Sequence, residues 1–459
     1  MYDQTGKLDL TLKSLKGLWV GDCIGNVGQL YFAHDILKAL DEGIIKMGAD
    51  NINPRGQCFQ YSDDTEEAIV LVNHIVFNDG QIKQDELAKE FATRYMDRDP
   101  DGEIYGYGLN TRKVLRDIYE GVSWREANKI IKRSEGMPSH IDSLVNSLAS
   151  GKGFKEAIEG VDKALSQQKK EQGNKVKEGS CGNGSAMRVA PLGAYIYWNM
   201  PDHSGLERRK QRLIKEATLQ SEVTHCHPEG IAGAIAITTL SYFISFDANN
   251  NTRFNTVKDY YDLLLDIVPK GQVWNGIKKA SQLSLDTPLG KLIEILGNGT
   301  HVTCQDTVPL CVFLTIRALT QYKTEEMYEK VIIEACKCFG DVDTNCAIIG
   351  GMVGIISPVP EKWIRYCQPM EGVLDEPLPE KKREPLPKPA SNEAIKAVLK
   401  ETRPWSTEEG MVEDQALSIW ETEKVISEAL NKPRPTFEEV LEARKKELQI
   451  NTNTQKENI

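Results

Sequence analysis

Two short stretches carry the residue types of a hard-metal site. At residues 61–72, YSDDTEEAIVLV places Asp63 and Asp64 between the hydroxyls of Ser62 and Thr65 and then runs directly into an apolar segment. About 280 residues later, FGDVDTNCAIIGGMVGII (339–356) repeats the arrangement. There Asp341 and Asp343 precede Thr344 and lead into an apolar, small-residue run. Taken alone, either stretch reads as a helix start, because Asp is favoured at an N-cap. Glu66 and Glu67 in the first turn would then complement the positive end of the helix dipole. One helix needs one cap, however, and four carboxylates with hydroxyls at two buried-looking starts exceed that need. Brought together they would carry a formal charge of about −4, and burying it without cations costs many kcal/mol or forces protonation. Two divalent cations would roughly neutralise it. Carboxylate and hydroxyl oxygens are hard ligands suited to Mg²⁺ or Mn²⁺, whereas zinc favours Cys and His.

Further segments have the composition of ligand loops. In EGSCGNGSAMRVAPLGAY (178–195), Gly179, Gly182 and Gly184 allow close backbone approach just before a small-residue helix, which suits anion binding through exposed N–H groups. The loop lacks the Lys-Ser/Thr ending of a P-loop, and a plain glycine-rich connection is the alternative. In VTHCHPEGIAGAIA, His225 and His227 are two apart, a spacing that does not make an i, i+4 zinc pair. Pro228 predicts a helix beginning just after them, leaving His225 in a loop as a substrate contact or a hydrogen-bonded structural residue. EIYGYGLNT (103–111) and ILGNGTHVTCQDTVP (295–309) are two more glycine-bearing loops before helices.

Rigid elements must position these groups, and the pattern supplies helices. Ala68, Ile69, Leu71, Val72, Ile75 and Val76 follow the i, i+3, i+4, i+7 spacing of a broad buried helical face. LAKEFATRYM, LERRKQRLIKEATLQSEV, VPLCVFLTIRALTQY and MYEKVIIEACKCF repeat it, so the expected fold class is all-α with short glycine-rich loops. The expected boundaries are a catalytic domain at 1–370, a Pro- and charge-rich linker at 371–390, and charged amphipathic helices at 391–459.

Composition narrows the partners. With 40% hydrophobic and 27% charged residues the chain is of the soluble globular class. A net charge of −11, from 56 basic against 67 acidic residues, argues against nucleic acid, since affinity for phosphate backbones comes from clustered Lys and Arg. The ten cysteines form no C-x-x-C pair and read as reduced, mostly buried thiols. The start MYDQTGKLDL has no basic-then-apolar signal pattern. The longest uncharged stretch, Gly230 to Phe246, falls at or below the roughly 18–20 apolar residues of a membrane span. A cytoplasmic protein with no membrane partner is the expectation.

Seven motifs then occur in one order: GLWVGDCIG, SDDT, GYG, GNGSAMRVAPLGA, THCHPEG, LGNGTHVTCQDTVP and GDVDT, across residues 15–368. In this the chain resembles the ADP-ribosylglycohydrolases, the family of dinitrogenase reductase-activating glycohydrolase and the animal ADP-ribosyl-acceptor hydrolases. The resemblance implies a compact all-α domain with a binuclear magnesium (or manganese) centre at the base of a cleft. Its metal ligands would fall on Ser62, Asp63, Asp64, Asp341, Asp343 and Thr344, with Asp63 or Asp64 as general base. Its ADP-ribose contacts would fall on Tyr107, Gly108, Ser180, Cys181, Gly182, Asn183 and His225. Two positions depart from the family. A glutamate common after GD-x-x-G, tied in one branch to serine-linked ADP-ribose, aligns here with Phe32, with Gln29 the nearest polar alternative. A glycine common before the second cluster is Phe339. The first departure turns the expectation toward removal of ADP-ribose from modified arginine. The alternatives are serine-linked, polymeric or O-acetyl ADP-ribose as substrate, a non-catalytic ADP-ribose-binding or structural relative, and a binuclear phosphohydrolase.

Overall fold

The computed structural model describes residues 4–30, 59–102, 104–128, 179–200, 205–250, 256–364 and 367–374. Among them are sixteen helices and no strand, as the helical spacing of apolar residues predicts. The first group is α1 (Gln4–Leu30), α2 (Asp63–Phe77), α3 (Gln84–Arg98), α4 (Leu109–Tyr119) and α5 (Trp124–Ala127). The second is α6 (Gly184–Met187), α7 (Ala190–Trp198), α8 (Leu206–Glu222) and α9 (Pro228–Asn250). The third is α10 (Val257–Ile267), α11 (Gln272–Ala280), α12 (Leu289–Leu296) and α13 (Cys304–Gln321). The chain continues through α14 (Thr324–Cys336), α15 (Val342–Val353) and α16 (Glu361–Ile364).

The core turns on one helix pair from opposite ends of the sequence. α1 places Gly17, Gly21 and Gly25 at i, i+4, i+8, one stripe along the helix, and α15 lies against it backbone to backbone. A Cβ added at Gly21 would sit 2.2 Å from the carbonyl oxygen of Cys346, and one at Gly25 only 2.5 Å from the Cα of Asp343. From the other side, a Cβ at Gly350 would sit 2.4 Å from the carbonyl oxygen of Gly17. Side chains are absent at this seam because there is no volume for them. The consequence for function is positional: Asp22, next to Gly21, is carried to the N-terminus of α15.

α9 is the second organising helix. Its span Pro228–Asn249 is long and apolar enough to cross a bilayer by length and composition, more so than its uncharged run suggested. Yet 83% of its most apolar window is buried inside the protein, against α7, α8, α10 and α13. It is a core helix, and its small residues let neighbours approach.

Gln368 N–H donates to the Phe59 carbonyl at 2.7 Å, and Leu374 N–H donates to Asn73 at 2.7 Å, so residues 367–374 lie along α1 and α2. The remainder of the expected linker, the expected helices at 391–459 and Phe32 lie outside the described residues. Nine described cysteines are thiols, as expected.

Gly21→Ala should cost about 1–3 kcal/mol, the usual penalty of forcing volume into a filled contact. Gly205→Ala, whose Cβ meets nothing within 4 Å, should cost well under that. Equal thermal midpoints for the two variants would contradict the seam.

Candidate metal centre and ligand loops

The first acidic motif resolves into a cap and two uncommitted acids. Ser62 is the N-cap of α2, and its hydroxyl accepts from the Asp64 N–H at 3.2 Å. Because the serine does the capping, Asp63 and Asp64 occupy the first two helical positions with other uses for their carboxylates. Asp64 Oδ2 accepts from the Ser62 hydroxyl at 2.8 Å and from the Thr344 hydroxyl at 3.4 Å. That second contact joins the two motifs across 280 residues. At the start of α15, Asp341 stands at the cap position without making a cap hydrogen bond. Its Oδ2 accepts instead from Asn183 Nδ2 at 2.6 Å.

α1 adds an acid that the motif comparison left unassigned. Asp22 accepts from the Ser62 N–H at 2.9 Å and from the Thr65 N–H at 3.1 Å, and is thus an anion at the N-terminus of α2 supplied by another helix. One carboxylate oxygen each from Asp22, Asp64 and Asp343 lies within 4.8 Å of the other two, and all three residues are buried. Asp64 Oδ1 is buried with no hydrogen-bond partner.

The charges here oppose one another. Burial first, and neighbouring carboxylates second, hold Asp63, Asp64 and Asp343 well above the ordinary carboxylate range. Asp22 is pushed up to about 6 by burial, against the pull of its Thr65 and Ser62 hydrogen bonds. Asp341 is also raised by burial, with Asn183 opposing the shift. An orphaned carboxylate oxygen beside two more acids, with only oxygen donors around it, fits a hard divalent cation. The same acids have protonation as their alternative.

The loops converge on this centre. In the 179–188 loop, Asn183 bridges Asp341 and, at 3.0 Å, the Thr307 hydroxyl. Gly182 pairs with Thr303, and the Cys181 carbonyl accepts from the Cys304 N–H at 3.0 Å. The Gly182 N–H donates to Ser180 Oγ at 3.1 Å and the Asn183 N–H to the Val302 carbonyl at 3.3 Å. Two of the N–H groups expected to meet an anion are therefore used within the protein. His225 is buried behind the loop: a Cβ at Gly184 would lie 2.6 Å from its ring. Burial, reinforced by the Arg188 charge, lowers the His225 pKa to about 3, so its ring is neutral at any ordinary pH. On the opposite side, Tyr107 is a core residue packed edge-on against Tyr95 at 4.9 Å. What that segment turns outward is Gly106 and Gly108, with Gly106 beside the Asp63 carboxylate.

Glu66 and Glu67 depart from the role expected of them. They are fully buried ion-pair partners, with Glu66 accepting from Arg94, Arg98 and Tyr61 and Glu67 from Arg188 at 2.7 Å. Sequence reasoning missed these pairs and Asp22 alike. A signal for Asp22 was present, since it sits within a glycine stripe that implies a tight helix contact.

Stability should report the acids directly. A carboxyl whose folded pKa is raised stabilises fully below its unfolded value near 3.8, and that contribution is lost as pH rises through the folded value. In EDTA the thermal midpoint should therefore fall as pH rises from about 4 through about 6 and beyond. Saturating Mg²⁺ at pH 8 should restore about 3 kcal/mol at a hundredfold excess over Kd. Asp64→Asn should raise the midpoint in EDTA and abolish the Mg²⁺ shift; a Mg²⁺ shift that survives it would contradict the site.

The profile of the family described as ADP-ribosylglycohydrolase matches residues 3–390. No curated protein sequence matches the chain. Among solved structures, an "ADP-ribosylglycohydrolase-related protein complex" is similar at 15% identity and a TM-score of 0.42, covering 79% of this chain and 94% of its own. The family match takes in both acidic motifs, the glycine-rich loop and His225 in a single span: the chain belongs to the ADP-ribosylglycohydrolase family.

Proposed function

We propose that the protein is a metal-dependent hydrolase that removes ADP-ribose from modified protein side chains, with ADP-ribosylarginine as substrate and ADP-ribose as product. The observation that carries this reading is the meeting of Asp22, Asp64 and Asp343 around an orphaned buried carboxylate oxygen. Ser62, Asp63, Asp64, Asp341, Asp343 and Thr344, joined by Asp22, would hold two Mg²⁺ ions, or Mn²⁺; when bound they supply Lewis acidity and a water of lowered pKa. Asp63 is the best-placed proton acceptor of the group. It is only half-buried, the hydrogen bond its carboxylate accepts comes from its own backbone N–H, and the carboxylate lies beside the exposed Gly106. Asp64, by contrast, is buried and held by Ser62 and Thr344. Asn183 keeps Asp341 oriented, and the surrounding carboxylates stabilise positive charge at the anomeric carbon in an oxocarbenium-like state. The proposed ADP-ribose contacts are the 180–183 segment and Gly108, with His225 buried against the loop at Gly182 and Gly184, where its neutral ring would support the loop without adding charge.

The arginine preference rests on the sequence, which has Phe32 where a glutamate accompanies serine-linked substrates. Incubation with arginine- and serine-ADP-ribosylated protein, in Mg²⁺ or EDTA, tests both levels. ADP-ribose should be released from the arginine-linked substrate in Mg²⁺ alone. Asp63→Asn should lower the rate by about 10²–10⁴-fold without unfolding the protein. Release from serine alone would overturn the preference, phosphate as product would favour a phosphohydrolase, and no release from either substrate would overturn the activity.

A further inference from the structure

Behind the acidic centre lies a charged pair that the proposed chemistry does not use. Glu67 is one turn along α2 from Asp63, fully buried, with Oε1 lacking any hydrogen-bond partner. Its Oε2 accepts from Arg188 Nη1 at 2.7 Å. Arg188 closes the 179–188 loop and is itself fully buried. Its Nε donates to Gln220 Oε1 at 2.9 Å, its Nη2 donates to the Gln220 carbonyl at 2.8 Å, and its guanidinium lies over the Phe91 ring at 4.3 Å. Gln220 in turn donates to the Ser185 carbonyl at 3.1 Å, returning the connection to the same loop.

We infer that Glu67 and Arg188 are a positioning pair that fixes the Ser180–Asn183 loop and His225 in register with the Asp63–Asp64 start of α2. Each half of the candidate site sits on its own element, and Arg188 is bonded to α2, to α8 and, through Gln220, to its own loop. A planar guanidinium with donors on three sides sets distances and angles together, which a lysine ammonium cannot. Two buried charges are a costly means of joining helices where apolar packing would serve. Their placement between the acid helix and the loop indicates that register is what they supply.

The inference rests on the proposed function only for the identity of the ligand. Single removal of Arg188 would strand a buried carboxylate, so the test uses Glu67→Leu/Arg188→Met, which removes both charges, and Arg188→Lys as a second variant. The readouts are binding of ADP-ribose in Mg²⁺, the KM and kcat for ADP-ribosylated protein, and hydrogen exchange of amides 179–188. The double variant should stay folded, weaken ADP-ribose binding and raise KM at least tenfold with a smaller change in kcat, and speed exchange in that loop only. Arg188→Lys should loosen the loop in the same way. A folded double variant, or Arg188→Lys if the double variant fails to fold, with wild-type binding and wild-type loop exchange would overturn the inference. If the wild-type protein binds no ADP-ribose, the proposed function fails instead, and loop exchange alone decides the role of the pair.

Discussion

Mutual repulsion among buried carboxylates is the constraint on which this architecture depends. Asp22, Asp64 and Asp343 come from three helices, and the contact between α1 and α15 gives the acids they carry no means of moving apart. Glycine at 17, 21 and 25 lets the two backbones touch, which places Asp22 and Asp343 together as a by-product of close packing. Burial then strengthens the repulsion, because the interior screens charge far less than water does. The cluster must share protons or a cation, and oxygen donors alone select a hard one.

Two neighbouring buried acids are neutralised by the protein's own cations. On α2, four of the first five residues are acidic, and each has a separate destination. Glu66 is held by Arg94 and Arg98, and Glu67 by Arg188. The two left over, Asp63 and Asp64, are in no ion pair with a lysine or arginine among the described residues, and both lie near the Asp22 and Asp341 carboxylates. Within this one helix start, counter-charge is thus supplied to Glu66 and Glu67 and not to Asp63 and Asp64. That contrast distinguishes the centre from an acidic patch.

Two of the four non-glycine residues with positive φ among the described residues lie on segments beside the same point. Phe339 and Gly340 both have positive φ, at 54° and 74°, just before Asp341. For a phenylalanine that conformation costs about 1–2 kcal/mol, a cost that glycine would not carry. The turn permits the Asp341 N–H to donate to the Asn298 carbonyl, and Asn345 reaches the same oxygen at 2.7 Å. Val302, across the same loop, also has φ at 53°, rare for a β-branched residue, while its carbonyl accepts from the Asn183 N–H. Two strained residues therefore hold the segments that carry Asp341 and Asn183, as expected where structure is organised for binding and not for stability.

The helices, their order and the two aspartate motifs were legible in the sequence, because apolar spacing and local residue types act over a few residues and need no knowledge of the fold. So was the choice between cap and ligand as a question, although not its answer. Ser62 and not an aspartate caps α2, and Asp341 occupies a cap position without capping, facts set by contacts with Asp22 and Asn183 from distant segments. The burial of Glu66 and Glu67 was equally hidden, since a first-turn glutamate looks the same whether it faces water or Arg188. Local pattern determined which residues could bind a cation. Only tertiary packing decided which of them share one buried site, because the energy of a carboxylate depends on what lies within a few ångströms of it in space, not along the chain.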